Sequence, residues 1–392
     1  LTSLKKTTLK TPIKEHWLTL ASIGFIITSG VGFLAVSPIL LGGMVEQLGF
    51  SKQLIGYITA INSLGVAISA LIVSVIIPRF GILNLVRTGL LVLLLSEIGA
   101  SFSTTPASML FFRFIAGLSG GLTYASALSA LASISQPIRG FSTYTIVFCS
   151  LSSLTLFALP FIINHFSLSA GFLLLGTYAA IGLLLSGFLK HFTPKSQRQK
   201  IDASVLKQLA RKSIFFTVLA YFALQAGAVT IFAFLERIGN EKGFSPTVIG
   251  LSLGLSGLCG IAGGILANTL RKRLGIQQLL WVGFPALGIC LLIFYFGMNP
   301  LSYVFAILIF AIAWTFILPI YQSIQAAYDT EGKIVSIGAF MNMLGQSSGP
   351  ALASLLLGAS PYINVLWISL VMFIISGLSI IPSILGLKSR PA

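Results

Sequence analysis

Apolar residues run along this chain in stretches of about 20, the length that crosses a hydrocarbon layer of about 30 Å as an α-helix. Short segments rich in Lys, Arg, Gly, Pro and Ser separate them. The pattern predicts an all-α integral membrane protein with twelve spans. The first six cover 17–42, 54–77, 84–104, 108–133, 142–163 and 170–189; the second six cover 213–236, 248–270, 278–298, 302–327, 336–357 and 363–386.

The two sets of six share local sequence. Gly49 to Gly56 reads G-F-S-K-Q-L-I-G, and 194 positions later Gly243 to Gly250 reads G-F-S-P-T-V-I-G. At the same offset Arg79-Phe80-Gly81-Ile82 falls on Arg273-Leu274-Gly275-Ile276, Gly89 on Gly283, and Arg139 on Lys333. A constant offset through several sites is an internal repeat. In a helical membrane chain it predicts two pseudo-symmetric six-helix bundles that rock about a site between them, the design of a secondary transporter. The expected division is a tail at 1–16, a first bundle at 17–189, a linker at 190–212, a second bundle at 213–386 and a tail at 387–392.

Composition fits a lipid solvent. Hydrophobic residues make up 56% and charged residues 8%, and mean hydropathy is +0.99; a soluble domain of this size would expose large apolar patches. The net charge of +16 would fit nucleic acid only if it were clustered for that purpose, and it is not. Twenty of the 24 Lys and Arg fall in the tails and alternate loops, seven of them between Lys190 and Lys212, against Lys52, Arg237 and Lys242 on the opposite face. This is the positive-inside bias, and it places both termini in the cytoplasm of a cell inner (plasma) membrane. The basic start leads into a span too long for a signal-peptide core, so the first span is expected to remain. A V-L-K-Q-L-A-R run from Val205 predicts a short amphipathic helix on the inner leaflet.

Cys149, Cys259 and Cys290 lie in separate spans without paired spacing, and His16, His165 and His191 form no metal-ligand cluster. No cofactor, metal or nucleic acid is expected; the lipid bilayer, a small-molecule substrate and protons are, and a monomer.

One basic residue, Arg113, falls inside a span, where a guanidinium costs about 2.5–3.5 kcal/mol and needs a partner or a wet cavity. The third span runs outward and the fourth returns, with the turn near Thr105. Glu97 and Arg113 each lie eight residues from that turn, about 12 Å of helix rise, so they share one level. Their repeat equivalents, Leu291 and Ile307, are both apolar, as expected of a pair lost together. Such a pair is either a permanent strut between helices or a proton-switching site at Glu97.

The whole chain resembles the major facilitator superfamily: twelve spans in two halves, a basic central loop, and signature loops after the second and eighth spans. The family's loop motif is typically G-x-x-x-D-R-x-G-R-[RK]. Here Arg79 and Gly81 match it, as do Arg273 and Gly275 in the second copy, but Pro78 replaces the Asp that helps latch the two bundles. By resemblance these loops are gating elements. In the fourth span Arg113-Phe114-Ile115-Ala116-Gly117-Leu118-Ser119-Gly120-Gly121 resembles the R-x-x-x-G-x-G motif of proton-coupled drug exporters. There the Arg is implicated in coupling, and the glycines let a neighbouring helix approach.

Spans 1, 4, 7 and 10 usually line the cavity in this fold. Arg113 and Tyr124 in the fourth, Tyr221 and Gln225 in the seventh, and Trp314, Tyr321 and Gln325 in the tenth are the candidate lining groups, with Thr28, Ser29 and Ser37 in the first. They suit a mostly apolar organic solute held by a few hydrogen bonds. The first span lacks the embedded acid that many exporters use for cationic drugs, which favours neutral or anionic solutes. Gly349-Pro350 in the eleventh span resembles an element that exporters usually carry in the fifth, where Pro160 stands without a preceding Gly. The resulting expectation is a proton-coupled secondary transporter, with export favoured by the fourth-span motif and by Pro38. The alternative is uptake or facilitated movement of an organic anion or metabolite. An enzyme would need a convergent nucleophile, acid and base, and none is assembled.

Overall fold

A computed structural model describes residues 16–134, 137–190, 192, 212–271, 273–328, 333–357 and 361–388. Residues 193–211 of the linker, with the helix expected from Val205, lie outside the described residues. The first expected span is two helices, α1 (Trp17–Gly30) and α2 (Gly32–Leu48), bent by 43° at Val31. The second to sixth spans are α3 (Lys52–Phe80), α4 (Ile82–Ser101), α5 (Pro106–Ser133), α6 (Pro137–His165) and α7 (Leu168–Leu185). The seventh to twelfth are α8 (Lys212–Glu241), α9 (Pro246–Arg271), α10 (Ile276–Phe296), α11 (Pro300–Tyr328), α12 (Lys333–Leu357) and α13 (Val365–Lys388).

Most helices extend a few residues beyond the apolar stretches, because polar end residues such as Lys52 and Arg79 stay helical after leaving the hydrocarbon layer. Among the described residues ten helices, and the bent pair as an eleventh, are long and apolar enough to cross a membrane. The exception is α12, whose middle carries Asn342, Gln346, Ser347 and Ser348.

The repeat is visible in backbone chemistry. Gly49 and Gly243 both adopt left-handed φ, 67° and 76°, a conformation that costs glycine little. Two residues on, Ser51 and Ser245 cap the following helices, their hydroxyls accepting from the N–H of Leu54 at 3.2 Å and of Val248 at 3.4 Å. The second loop pair is less alike: Gly81 has φ 75° whereas Gly275 is extended.

Packing repeats as well. In the first half α5 lies against α3 and α4, and α7 against α4; in the second α11 lies against α9 and α10, and α13 against α10. The bundles meet where α3 crosses α12 and where α6 crosses α9. A Cβ on Gly56 would run into Ser354 and the Pro350 carbonyl, and one on Gly250, the repeat equivalent, into Pro160, the equivalent of Ser354. Deeper in, the Ser347 hydroxyl donates to the Ala60 carbonyl at 2.8 Å. At the equivalent crossing Gly254 lies against the Ser153 carbonyl.

The apolar core shows which end is closed. One large cluster joins Leu40, Met44, Ile58 and Ile163, near the G-F-S loops of the first bundle, to Leu224, Phe234 and Leu253 of the second. The opposite end of the first bundle has its own cluster around Ile23, Ile27, Val86, Leu90 and Leu131. The halves therefore share one core at the end bearing Gly49 and Gly243.

Candidate functional site

Glu97 on α4 and Arg113 on α5 meet at the level their spacing predicts. The guanidinium donates from Nη1 to Glu97 Oε1 at 3.1 Å and from Nη2 to Oε2 at 2.7 Å, a bidentate geometry that fixes orientation as well as charge. Arg113 is 0% exposed. The rings of Phe33 on α2 and Phe172 on α7 each lie 4.9 Å from its Cζ. Expected at the cavity wall, Arg113 is instead enclosed among four helices of the first bundle.

The motif glycines place it there. A Cβ on Gly117 would sit 2.2 Å from the Asn62 carbonyl of α3, and one on Gly120 2.1 Å from the Gly30 carbonyl of α1. Asn62 in turn donates to the Arg113 carbonyl at 2.9 Å. Backbone contact on both sides of α5 sets its depth and rotation.

In the second bundle, two expected cavity residues, Gln225 and Trp314, come together in an uncharged network, and a third, Tyr221, makes a separate bond. The Trp314 indole N–H donates to Gln225 Oε1 at 2.7 Å. The Gln225 amide nitrogen donates to Asn342, whose Oδ1 also accepts from Gln346 Nε2 at 3.1 Å. Gln322 Nε2 donates to the Tyr221 hydroxyl at 3.4 Å. Trp314 is flanked by Phe232 and Phe310, with ring centroids at 6.1 and 5.7 Å. This network ties α8, α11 and α12 together; Gln225 is buried, Trp314, Asn342 and Gln346 are half-buried, and Gln322 is exposed.

Other expected lining groups are placed elsewhere. Tyr321 packs on the Tyr221 ring, but its hydroxyl bonds the Ser376 hydroxyl of α13 at 2.8 Å, turned into the bundle. Gln325 is buried against Gly338 of α12. Tyr124 is half-buried beside the core of the first bundle. Thr28, Ser29 and Ser37 hydrogen-bond carbonyls of their own helices. Arg79 stacks on its neighbour Phe80 at 5.7 Å, and Arg273 is exposed.

Sequence reasoning missed Gln322 and did not assign Asn342 and Gln346 to the site. The last two were findable as an i, i+4 amide pair on one helix face. It also missed the pairing of Glu46, Glu236 and Arg237, which join the bundles at the closed end. They sit at span ends far apart in the chain, where a charge needs no buried partner to be explained.

Comparison with known proteins agrees with this architecture. The family model described as Major Facilitator Superfamily matches residues 20–330. The chain is 23% identical over 366 residues to the uncharacterized MFS-type transporter YceJ of Bacillus subtilis (strain 168), covering 91% of this chain and 93% of that one. Among solved structures it is similar to a bacterial homolog of the human lysosomal transporter Spinster, described as inward-facing and unoccupied, at TM-score 0.74 and 11% identity, covering 97% and 100% of the two chains. It is also similar to the nucleoside transporter NupG, at TM-score 0.72 and 15% identity over 94% and 99%. A D-xylose–proton symporter gives TM-score 0.72 and 13% identity over 93% and 96%. A repeated two-bundle helical architecture, a buried ion pair in one half and an amide–aromatic network in the other, matched by this family model over most of its length, make the chain a multi-pass membrane transporter that belongs to the Major Facilitator Superfamily.

Proposed function

We propose that this transporter moves a small, uncharged, partly apolar organic solute by alternating access, coupled to protons, with the Gln225–Trp314–Asn342–Gln346 network as its recognition site. The observation that carries the reading is the chemistry of that network: amide donors and acceptors beside an indole face, with no charged member. Such a surface selects by hydrogen-bond pattern and stacking. Tyr221 and Gln322 extend it.

The drug-exporter resemblance of the Arg113–Gly121 segment supports export. Uptake is the second reading, favoured by two structural neighbours, a nucleoside transporter and a D-xylose–proton symporter. We place both termini and the 190–212 linker in the cytoplasm of the inner membrane, with the bundles at 17–189 and 213–386 working as a monomer. The closed end then faces outward, and the loops at Arg79-Gly81 and Arg273-Gly275 gate the inner side. Glu97 and Arg113 are the coupling candidates. Their enclosure between two phenyl rings favours the strut role in this state, because a proton on Glu97 would leave a bare guanidinium in an apolar site.

Purified protein in liposomes holding a pH-sensitive dye, challenged with lipophilic drugs, with neutral sugars and nucleosides, and with carboxylated metabolites, tests the reading. Flux of a neutral class is expected, accompanied by protons; movement of carboxylates alone would reject it. Proton flux that disappears in Glu97→Gln would assign coupling to that residue. Gln225→Leu should weaken solute binding at least tenfold, since it removes the amide that holds the Trp314 N–H and joins it to Asn342, and with it the hydrogen bonds, at about 0.5–1.5 kcal/mol each, that this amide would offer a solute. Unchanged binding by that variant would move the site elsewhere.

A further inference from the structure

At the closed end, residues equivalent by the repeat touch each other. Glu46 and Asn240 are 194 positions apart, and the Asn240 amide donates to Glu46 Oε1 at 2.7 Å. Gly42 and Glu236 carry the same offset, and a Cβ on Gly42 would lie within 2.7 Å of the Glu236 carboxyl atoms. Two equivalent residues can meet only at the axis that relates them. In parallel repeats that axis runs along the membrane normal, between the bundles. These contacts therefore sit on the line a solute must follow.

The charges there are arranged unequally. Arg237 donates from Nη2 to Glu46 Oε1 across the bundle boundary at 2.7 Å. It also donates from Nε and Nη2 to Glu236, its neighbour on α8. Arg237 is 5% exposed and the Glu46 side chain 47%. Glu46 is held to the first bundle by the next residue: Gln47 donates to the Ile163 carbonyl at 3.2 Å and accepts from the Leu168 N–H at 2.7 Å. A second cross-bundle pair, Lys52 with Glu241 at 3.2 Å, stands beside it, with Lys52 4.4 Å from the Tyr362 ring centroid.

We infer that Glu46 and Arg237 form an axial lock that closes this end, and that Glu236 is a resident counter-ion whose function is to make the lock reversible. A buried guanidinium left alone when the bundles part would be costly enough to prevent opening. Glu236 travels with Arg237 and keeps it paired, so of the bonds Arg237 makes opening breaks the one to Glu46, whose carboxylate passes into water. Gly42 provides the notch that admits the Glu236 carboxylate at the axis. The inference rests on the alternating-access reading, but its test needs no solute.

Removing each carboxylate has opposite consequences. Labels for distance measurement are placed at Thr104→Cys and Gly297→Cys, in loops of the two bundles at this end, in the full chain with Cys149, Cys259 and Cys290 replaced by Ala and reconstituted in lipid. Glu46→Gln should raise the open-to-closed ratio roughly tenfold or more, seen as a longer distance. Glu236→Gln should keep the short distance, because Arg237 then depends on Glu46 alone. A short distance in Glu46→Gln, or a long one in Glu236→Gln, overturns the assignment. Because both readouts are taken without solute, failure of the transport reading leaves them unchanged.

Discussion

Arg113→Ala should destabilise the first bundle by about 3–5 kcal/mol, the usual cost of stranding one member of a buried ion pair, and should abolish transport while leaving membrane insertion intact. Glu97 is 2% exposed, and its two oxygens find their charged partner in Arg113. Without it the buried Glu97 carboxylate loses the charge that balances it. The informative comparison is the double variant Glu97→Leu/Arg113→Ile, which installs the residues of the repeat-equivalent positions, Leu291 and Ile307. Both of those are buried and packed in the second bundle, so this fold already accepts an apolar pair at that crossing. Thermal unfolding in detergent should show the double variant recovering most of the loss, since well-packed apolar replacements of buried pairs are often neutral or better. Transport then separates the two roles. A strut predicts that flux returns with stability, whereas coupling predicts a stable protein that no longer moves protons with solute. Equal instability of the single and double variants would show that the guanidinium's contacts with the rings, rather than its charge pairing, hold the site.

Gly120→Leu should prevent the first bundle from assembling. The facing atom is the Gly30 carbonyl oxygen, 2.1 Å from where a Cβ would lie, and backbone cannot rotate aside as a side chain can. The change forces α5 away from α1 at the point where the first span bends, and it drags the Arg113 level with it. Gly117→Leu should be as severe, against the Asn62 carbonyl at 2.2 Å. Smaller intrusions cost less, and alanine at either position is expected to lower stability by about 1–3 kcal/mol. Gly264→Ala and Gly288→Ala serve as controls, because nothing lies within 4 Å of a Cβ at those helical positions. The measurement is the fraction of monodisperse protein surviving heating. If Gly120→Ala proved as tolerant as Gly264→Ala, the close approach of α1 and α5 would not be a determinant of the fold.

These two cases mark how far the chemistry was legible in advance. The pairing of Glu97 with Arg113 followed from counting residues to a common turn, because helix rise is fixed and both charges need a partner in lipid. The glycines were recognisable as sites of close approach, yet their partners were not. Gly117 meets α3 while Gly120 meets α1, and only the rotation of α5 between them decides that. Gln225 and Trp314, candidates because the seventh and tenth spans line the cavity in the resembled family, do meet. Tyr321, a candidate on the same ground, turns to Ser376. Resemblance says which spans line the cavity; it does not say which neighbour each side chain meets. The lock at Glu46 and Arg237 was hidden for a related reason. Those residues lie at span ends far apart in the chain, and only the meeting of repeat-equivalent positions reveals the axis.

The sequence by itself determined the solvent, the spans, the internal repeat and the superfamily, because burial in hydrocarbon and charge bias across a membrane act on each segment separately. Tertiary structure decided how each helix is rotated, which glycines touch which backbone, how the first span bends at Val31, and which end of the molecule is closed. In lipid the exterior of a helix is as apolar as its interior contacts, so no stripe of hydrophobic residues tells one face from another. Rotation is left to small-residue packing and to a few buried hydrogen bonds and ion pairs, and these exist only once the helices have met.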